Sequence, residues 1–473
     1  MSEATRMLLG LAIGIGLMIF LVMKTKVHTF IALLLAALVT GLIGGMPIND
    51  IVVGEKTTKG VLTAISEGFG NTLKSTGIII GLGVMMGGIL EVSGAAEQLA
   101  FTFIKKLGKK HVDWALAVTG WIVAIPVFAD SAIVIFAPLV KAISMVTGMS
   151  VIGLALSLAC GLQLTHVLVP PTPGPLTAAG MLGVDVGQMI MMGAAVSIPM
   201  LIVVMFYVRH IGKKIYQVPN ADGGFDRKAY KEEYIKTMDE VESLMKAKKL
   251  PGFGISIAPI LLPILLIFVK TFWDMYVDSH TALAGGMLDN AISLLGSPII
   301  ALVIGTLIAI YGLARRDDKK KVLATMDNAI KDTGIIMLIT GAGGSLGNVI
   351  KVAGIGDVLG KAIIQTPLPA ILIPFIIAAL MRIALGSATV AITTAASLSV
   401  GLLGTLNVSP LLMAVSCCIG AISFSYFNDS GFWVFNGMFG LNELKDQVRC
   451  KTAVSMIMSC VGIIELLILG MFL

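Results

Sequence analysis

Three charged side chains stand where an apolar sequence makes charge expensive. They are Asp130 in Pro126-Val127-Phe128-Ala129-Asp130, Arg382 in Leu380-Met381-Arg382-Ile383-Ala384, and Asp429 in Phe427-Asn428-Asp429-Ser430-Gly431. At bilayer depth a lone charge costs several kcal/mol unless it is paired or hydrated, so each marks a candidate site. Arg382 suits two compatible roles: offsetting a substrate carboxylate, or closing an internal ion pair with Asp429 or Asp130. Histidine titrates near neutral pH, so His166, in Leu164-Thr165-His166, is a candidate proton carrier; a buried structural histidine fits the same pattern. Asp130 and Asp429 are the other candidate proton carriers.

These residues fall at four interruptions of apolar sequence. Two are hairpin-like: short arms on either side of Ala129-Asp130-Ser131, and again on either side of Gly386-Ser387-Ala388-Thr389. Two are helix breaks. Val169-Pro170-Pro171-Thr172-Pro173-Gly174-Pro175 cannot continue a helix, because its prolines remove donors and clash with preceding carbonyls. Its counterpart is Phe427-Asn428-Asp429-Ser430-Gly431-Phe432. Broken helices expose free N–H groups that hold anions and free carbonyls that hold cations. Ser131, Thr172, Gly174, Ser387, Thr389, Asn428 and Ser430 lie at these points and complete the candidate substrate-binding set.

The elements that must position them are membrane helices. Of 473 residues, 56% are hydrophobic and 13% charged, about half the ~25% charged fraction of a soluble domain. Mean hydropathy is +0.95. Apolar windows long enough to span a bilayer fall at 4–23, 27–46, 76–92, 190–208, 253–273, 296–314, 333–350 and 452–473. The first is followed by Lys24 and Lys26 rather than a small-residue cleavage site, and reads as a retained helix.

An internal repeat divides the chain. Thr76-Gly77-Ile78-Ile79 recurs as Thr333-Gly334-Ile335-Ile336, Ser131-Ala132 as Ser387-Ala388, and Gly180-Met181-Leu182-Gly183 as Gly437-Met438-Phe439-Gly440, at offsets of 256 or 257 residues. Lys/Arg-rich loops should face the cytoplasm, among them Lys105–Lys110, the hydrophilic stretch 209–249 and Arg315–Lys321. Threading these sides through the spans gives the two halves opposite orientation, a pattern of many secondary transporters. The expected organisation is a first inverted repeat over 1–208, a charged, helical cytoplasmic linker over 209–250, and a second repeat over 251–473. The expected fold is an all-α polytopic membrane protein of about ten spanning helices, two re-entrant hairpins and one broken helix per repeat.

Other functions find little support. The five cysteines form no CxxC pair, the five histidines no HExxH, and no GxxxxGK[ST] occurs, so no metal, nucleotide or other cofactor is expected. The net charge of +6 belongs to short loops and does not point to nucleic acid. An enzyme is not expected, since no nucleophile or metal set stands out, and a channel would need a continuous hydrated pore.

Thr165-His166-Val167-Leu168-Val169-Pro170-Pro171-Thr172-Pro173-Gly174-Pro175, Pro126–Asp130 and Asn428-Asp429-Ser430-Gly431-Phe432-Trp433 together resemble the gluconate permease family of proton-coupled sugar-acid transporters, within the ion transporter superfamily. The resemblance covers nearly the whole chain. It departs at two positions: gluconate-type members carry glutamate where Asp130 stands and histidine where Thr172 stands. It implies import of a small hydroxy- or sugar-acid by proton symport, inverted repeats with re-entrant hairpins, a homodimer and a place in the bacterial inner membrane. Sodium coupling, or another small polar substrate such as a D-amino acid, remains an open alternative.

Overall fold

The computed structural model describes residues 2–53, 56–107, 111–220, 224–230, 250–279, 285–315, 318–356, 358, 368–426 and 429–472. Apart from two short antiparallel hairpins, β1–β2 (Ile51–Val53 with Lys56–Thr58) and β3–β4 (Gln217–Pro219 with Phe225–Arg227), its regular structure is helical. The first half runs α1 (Glu3–Lys24), α2 (Thr29–Gly44), α3 (Val61–Val92), α4 (Ala95–Leu107), α5 (Val112–Val123), α6 (Ala129–Thr147), α7 (Val151–Leu168), α8 (Pro173–Leu182) and α9 (Val186–Lys214). The second runs α10 (Phe253–Ser279), α11 (Met287–Leu295), α12 (Pro298–Ile308, prolonged by the π turn Ala309–Leu313), α13 (Lys319–Val352), α14 (Leu372–Leu385), α15 (Ala388–Val400), α16 (Pro410–Ile422), α17 (Ser430–Met438), α18 (Leu444–Gln447), the π turn Val448–Thr452 and α19 (Ala453–Phe472). Among the described residues, five helices are long and apolar enough to cross a bilayer, or seven if two bent pairs each count as one span.

The interruptions fall where the chain chemistry demands, with one displacement. Pro173 and Pro175 sit in the first turn of α8, where a missing N–H costs nothing, and Thr172 is its N-cap. Gly386 closes α14 at φ +76°, a left-handed conformation that disfavours any side chain. In the first hairpin the turn is 124–128, not 129–131. Pro126 ends α5 early, so α6 starts at Ala129 and Asp130 lies in its first turn instead of in a loop. An acidic side chain there is favoured by the positive end of the helix dipole.

The helices α3 and α13 begin well before the apolar windows 76–92 and 333–350. Glu67, Asn71 and Lys74 in one, and Lys319–Lys321 with Asp327 in the other, dilute the hydropathy without breaking the helix. The two pack against each other through small residues and side-chain-to-backbone bonds. Ser345 Oγ donates to the Ile65 carbonyl at 2.8 Å, and Asn348 Nδ2 to the Ala64 carbonyl at 2.8 Å. A Cβ on Gly344 would sit 2.0 Å from Thr72 Oγ1 and 2.7 Å from the Gly68 carbonyl oxygen, so the approach requires glycine.

A comparable approach fixes α5 on α7, the helix that carries His166. A Cβ on Gly161 would lie 2.0 Å from the Ala117 carbonyl oxygen and 2.6 Å from the Trp121 nitrogen. Forcing that contact apart costs on the order of 1–3 kcal/mol. Gly161→Val is therefore expected to lower the melting temperature of the detergent-solubilised protein by several degrees. A melting temperature equal to wild type would show that α5 and α7 yield there.

The hydrophilic stretch after the first half is less uniform than a helical linker. The helix α9 continues through Arg209 to Lys214, because Arg209 forms a bidentate pair with Asp113 at the start of α5, one of its bonds 3.1 Å long. The β3–β4 hairpin then docks on the far end of the chain: Gln217 Nε2 donates to the Phe439 carbonyl at 2.7 Å, and Arg227 pairs with Asp446 at 2.7 Å. Most of the rest of the expected helical linker, 221–223 and 231–249, lies outside the described residues.

Candidate functional site

Two hairpin turns and two helix breaks meet crosswise. The first turn of α6 abuts the start of α17: a Cβ on Gly431 would stand 2.6 Å from Asp130 Oδ1. The start of α8 abuts the start of α15: a Cβ on Gly174 would stand 2.7 Å from Ile392 Cδ1 and 3.6 Å from the Thr389 Cα. The N-terminal turns of α6, α15 and α17 open on one cavity of about 280 Å³. Its size suits a small molecule. Further parts of the wall come from the last turns of α7, the last turn of α14 and the π turn before α19.

Arg382 and Asp429 tie this cavity together. Arg382 is 3% exposed; its guanidinium donates to Asp429 Oδ2 and to the Gly386 carbonyl, while its Nε has no partner among the described residues. Asp429 also accepts from Ser425 Oγ at 2.5 Å and, as the N-cap of α17, from the Gly431 N–H at 3.1 Å. The pair therefore joins the tip of the second hairpin to the second helix break. Of the two roles open to Arg382, the internal ion pair with Asp429 is the one formed here. Tyr426 Oη reinforces the same junction by donating to the Ile383 carbonyl at 2.9 Å.

Asp130, His166, Arg382, Ser387, Thr389 and Asp429 all line the cavity. The ring of His166 lies edge-on to Phe128, with centroids 5.6 Å apart, and its Nδ1 is buried without a hydrogen-bond partner among the described residues. Ser387 is the N-cap of α15 and accepts from the Val390 N–H. Thr172 and Gly174 do not line the cavity. The Thr172 hydroxyl turns back on the Val169 carbonyl at 2.7 Å, because the proline-rich turn leaves that acceptor free, and Gly174 is spent on packing against α15. Asn428 and the side chains of Ser131 and Ser430 fall outside the described residues.

Sequence reasoning missed two polar lining residues, Gln163 and Lys451. Gln163 stands three residues before His166, one helical turn away on the same face, and that spacing is the signal for it. Lys451 reads in sequence as a basic anchor at the edge of the last apolar span. It is instead 6% exposed, turned inward by the π turn. Among the described residues no cluster of His, Cys, Asp or Glu is arranged to hold a metal ion.

A protein-family model described as GntP family permease matches residues 6–472. The chain belongs to the GntP family. This permease is 43% identical to an "Uncharacterized permease" of Haemophilus influenzae, across 93% of the chain and 87% of that protein. It is 33% identical to a gluconate permease of Pseudomonas aeruginosa, across 100% of the chain and 99% of that protein. Its fold is similar to the crystal structure of the Alcanivorax borkumensis YdaH transporter, with a TM-score of 0.64 over 94% of this chain and 97% of the other. At 12% identity that likeness concerns the fold alone. The protein is a multi-pass membrane permease and not an enzyme.

Proposed function

We propose that this permease imports a gluconate-like hydroxy- or sugar-acid by proton symport, binding it in the cavity between the two hairpin turns. The observation that carries the reading is the cavity's charge set: two carboxylates, Asp130 and Asp429, face two cations, Arg382 and Lys451. Ionised, the four cancel. A monocarboxylate entering this buried space adds one negative charge, which the low-dielectric surroundings penalise unless a cation enters with it. A proton taken up by Asp130 or His166 restores neutrality. Ser387, Thr389 and Gln163 supply a donor-and-acceptor rim for substrate hydroxyls.

The architecture in this reading is two inverted repeats, 1–208 and 251–473, joined by a cytoplasmic segment, with about ten spans and two re-entrant hairpins. The helix order supports it: α3, α5, α6, α7 and α8 recur in kind as α13, α14, α15, α16 and α17. The family resemblance adds a homodimer in the bacterial inner membrane. Sodium symport is the second reading, favoured by the hydroxyls of Ser387 and Thr389 on the same cavity as two carboxylates.

The deciding experiment is uptake by the purified permease in liposomes. Gluconate, related sugar acids, glycerate and D-serine are each supplied with a proton gradient, a sodium gradient or neither. Concentrative uptake of an acid driven by the proton gradient alone is the expected result. Uptake that follows sodium would replace the proton roles of Asp130 and His166 with cation ligation, and uptake of D-serine alone would discard the sugar-acid assignment.

A further inference from the structure

We propose that Lys451, and not Arg382, receives the substrate carboxylate, while Arg382 with Asp429 acts as a permanent clamp; this deepens the import reading above and rests on it. Both cations are buried on the cavity wall, but their commitments differ. The terminal nitrogens of Arg382 donate to Asp429 and to the Gly386 carbonyl, and Asp429 is held in turn by Ser425 and the Gly431 N–H. An anion approaching Arg382 would meet a guanidinium already neutralised by a carboxylate.

The Lys451 ammonium has no ion pair and no hydrogen bond among the described residues. Its Nζ lies 5.4 Å from the centroid of the Phe435 ring. The ring face attracts an ammonium but offers it no hydrogen-bond acceptor of ordinary strength. A lysine only 6% exposed that lines the cavity is incompletely compensated until an anion arrives, and a carboxylate supplies both the charge and the acceptor atoms.

Among the described residues on the cavity wall, Arg382 is committed to Asp429 and Lys451 to no carboxylate, so Lys451 is the cation left for a ligand with one carboxylate at one end.

The test uses the full-length permease in proteoliposomes, with gluconate and with sorbitol, its neutral six-carbon polyol counterpart. Wild type should take up gluconate and discriminate against sorbitol. Lys451→Met and Lys451→Gln should raise the KM for gluconate by roughly 10- to 100-fold, the weight of a hydrogen bond to a charged group. Both should also lose the preference for acid over polyol, and Lys451→Arg should recover part of it. In parallel, gluconate should protect Lys451 of the wild-type permease from an amine-selective reagent, read by mass spectrometry, and sorbitol should not. That arm stands even if the neutral variants fail to fold. Wild-type KM and preference in the Met or Gln variant, or no protection of Lys451, would overturn the assignment while leaving acid import intact. A wild-type protein that transports no acid would instead remove the import reading, and this inference with it.

Discussion

Arg382→Ala is expected to abolish uptake and also to destabilise the folded permease. The Arg382–Asp429 pair is nearly dry, and it joins α14 to the start of α17. Removing one partner of such a pair costs on the order of 3–5 kcal/mol, because the other charge stays behind uncompensated. The Gly386 carbonyl loses its donor in the same step, so the second hairpin tip loses its tether. Arg382→Ala/Asp429→Ala removes the stranded carboxylate and should therefore melt at a higher temperature than the single variant, while remaining inactive. Melting curves in detergent and uptake in liposomes read the two effects separately. A single variant that melts like wild type would show that the pair does not hold the tip. One that also transports normally would remove Arg382 from the site.

Asp130→Asn should uncouple the permease rather than break it. The substitution keeps the size and shape of the side chain in the first turn of α6, against Gly431, and removes the ability to ionise. With Asp130 unable to exchange a proton, the entering carboxylate lacks its compensating charge change. Uptake driven by a pH gradient is expected to fall by at least about tenfold, a penalty of ~1.4 kcal/mol or more. Exchange of internal for external substrate should continue, because it needs no net proton movement. If pH-driven uptake survives in Asp130→Asn and disappears in His166→Gln, the coupling proton belongs on the imidazole.

Much of the site's outline was readable because proline and glycine act locally. Pro170 to Pro175 must break α7 from α8, and Gly386 must end α14, whatever the rest of the chain does. Asp130, Arg382 and Asp429 stood out for an equally local reason, charge in apolar surroundings. What stayed hidden depends on packing between distant segments. Asp429 and Asp130 were both open as partners of Arg382, and no spacing selects Asp429, 47 residues on; no hydropathy window shows α3 and α13 continuing past Glu67 or Asp327, where each is supported by the other. The displacement of the first turn has a local cause: Pro126 ends α5 before Asp130 is reached. Thr172 was grouped with the other hydroxyls, but its preference for the carbonyl three residues back draws it away from the cavity.

The π turn Val448–Thr452 makes the position of Lys451 sensitive to chain length. A π turn is an α-helix that has accepted one extra residue without breaking. Deleting a residue there would restore the ordinary pitch and swing the following side chains by about 100° relative to the preceding ones. Lys451 would leave the cavity wall while every hydrogen bond of α19 survived. With Lys451 as the carboxylate ligand, as proposed above, charge selectivity in this permease is exposed to single-codon insertions and deletions in one short window.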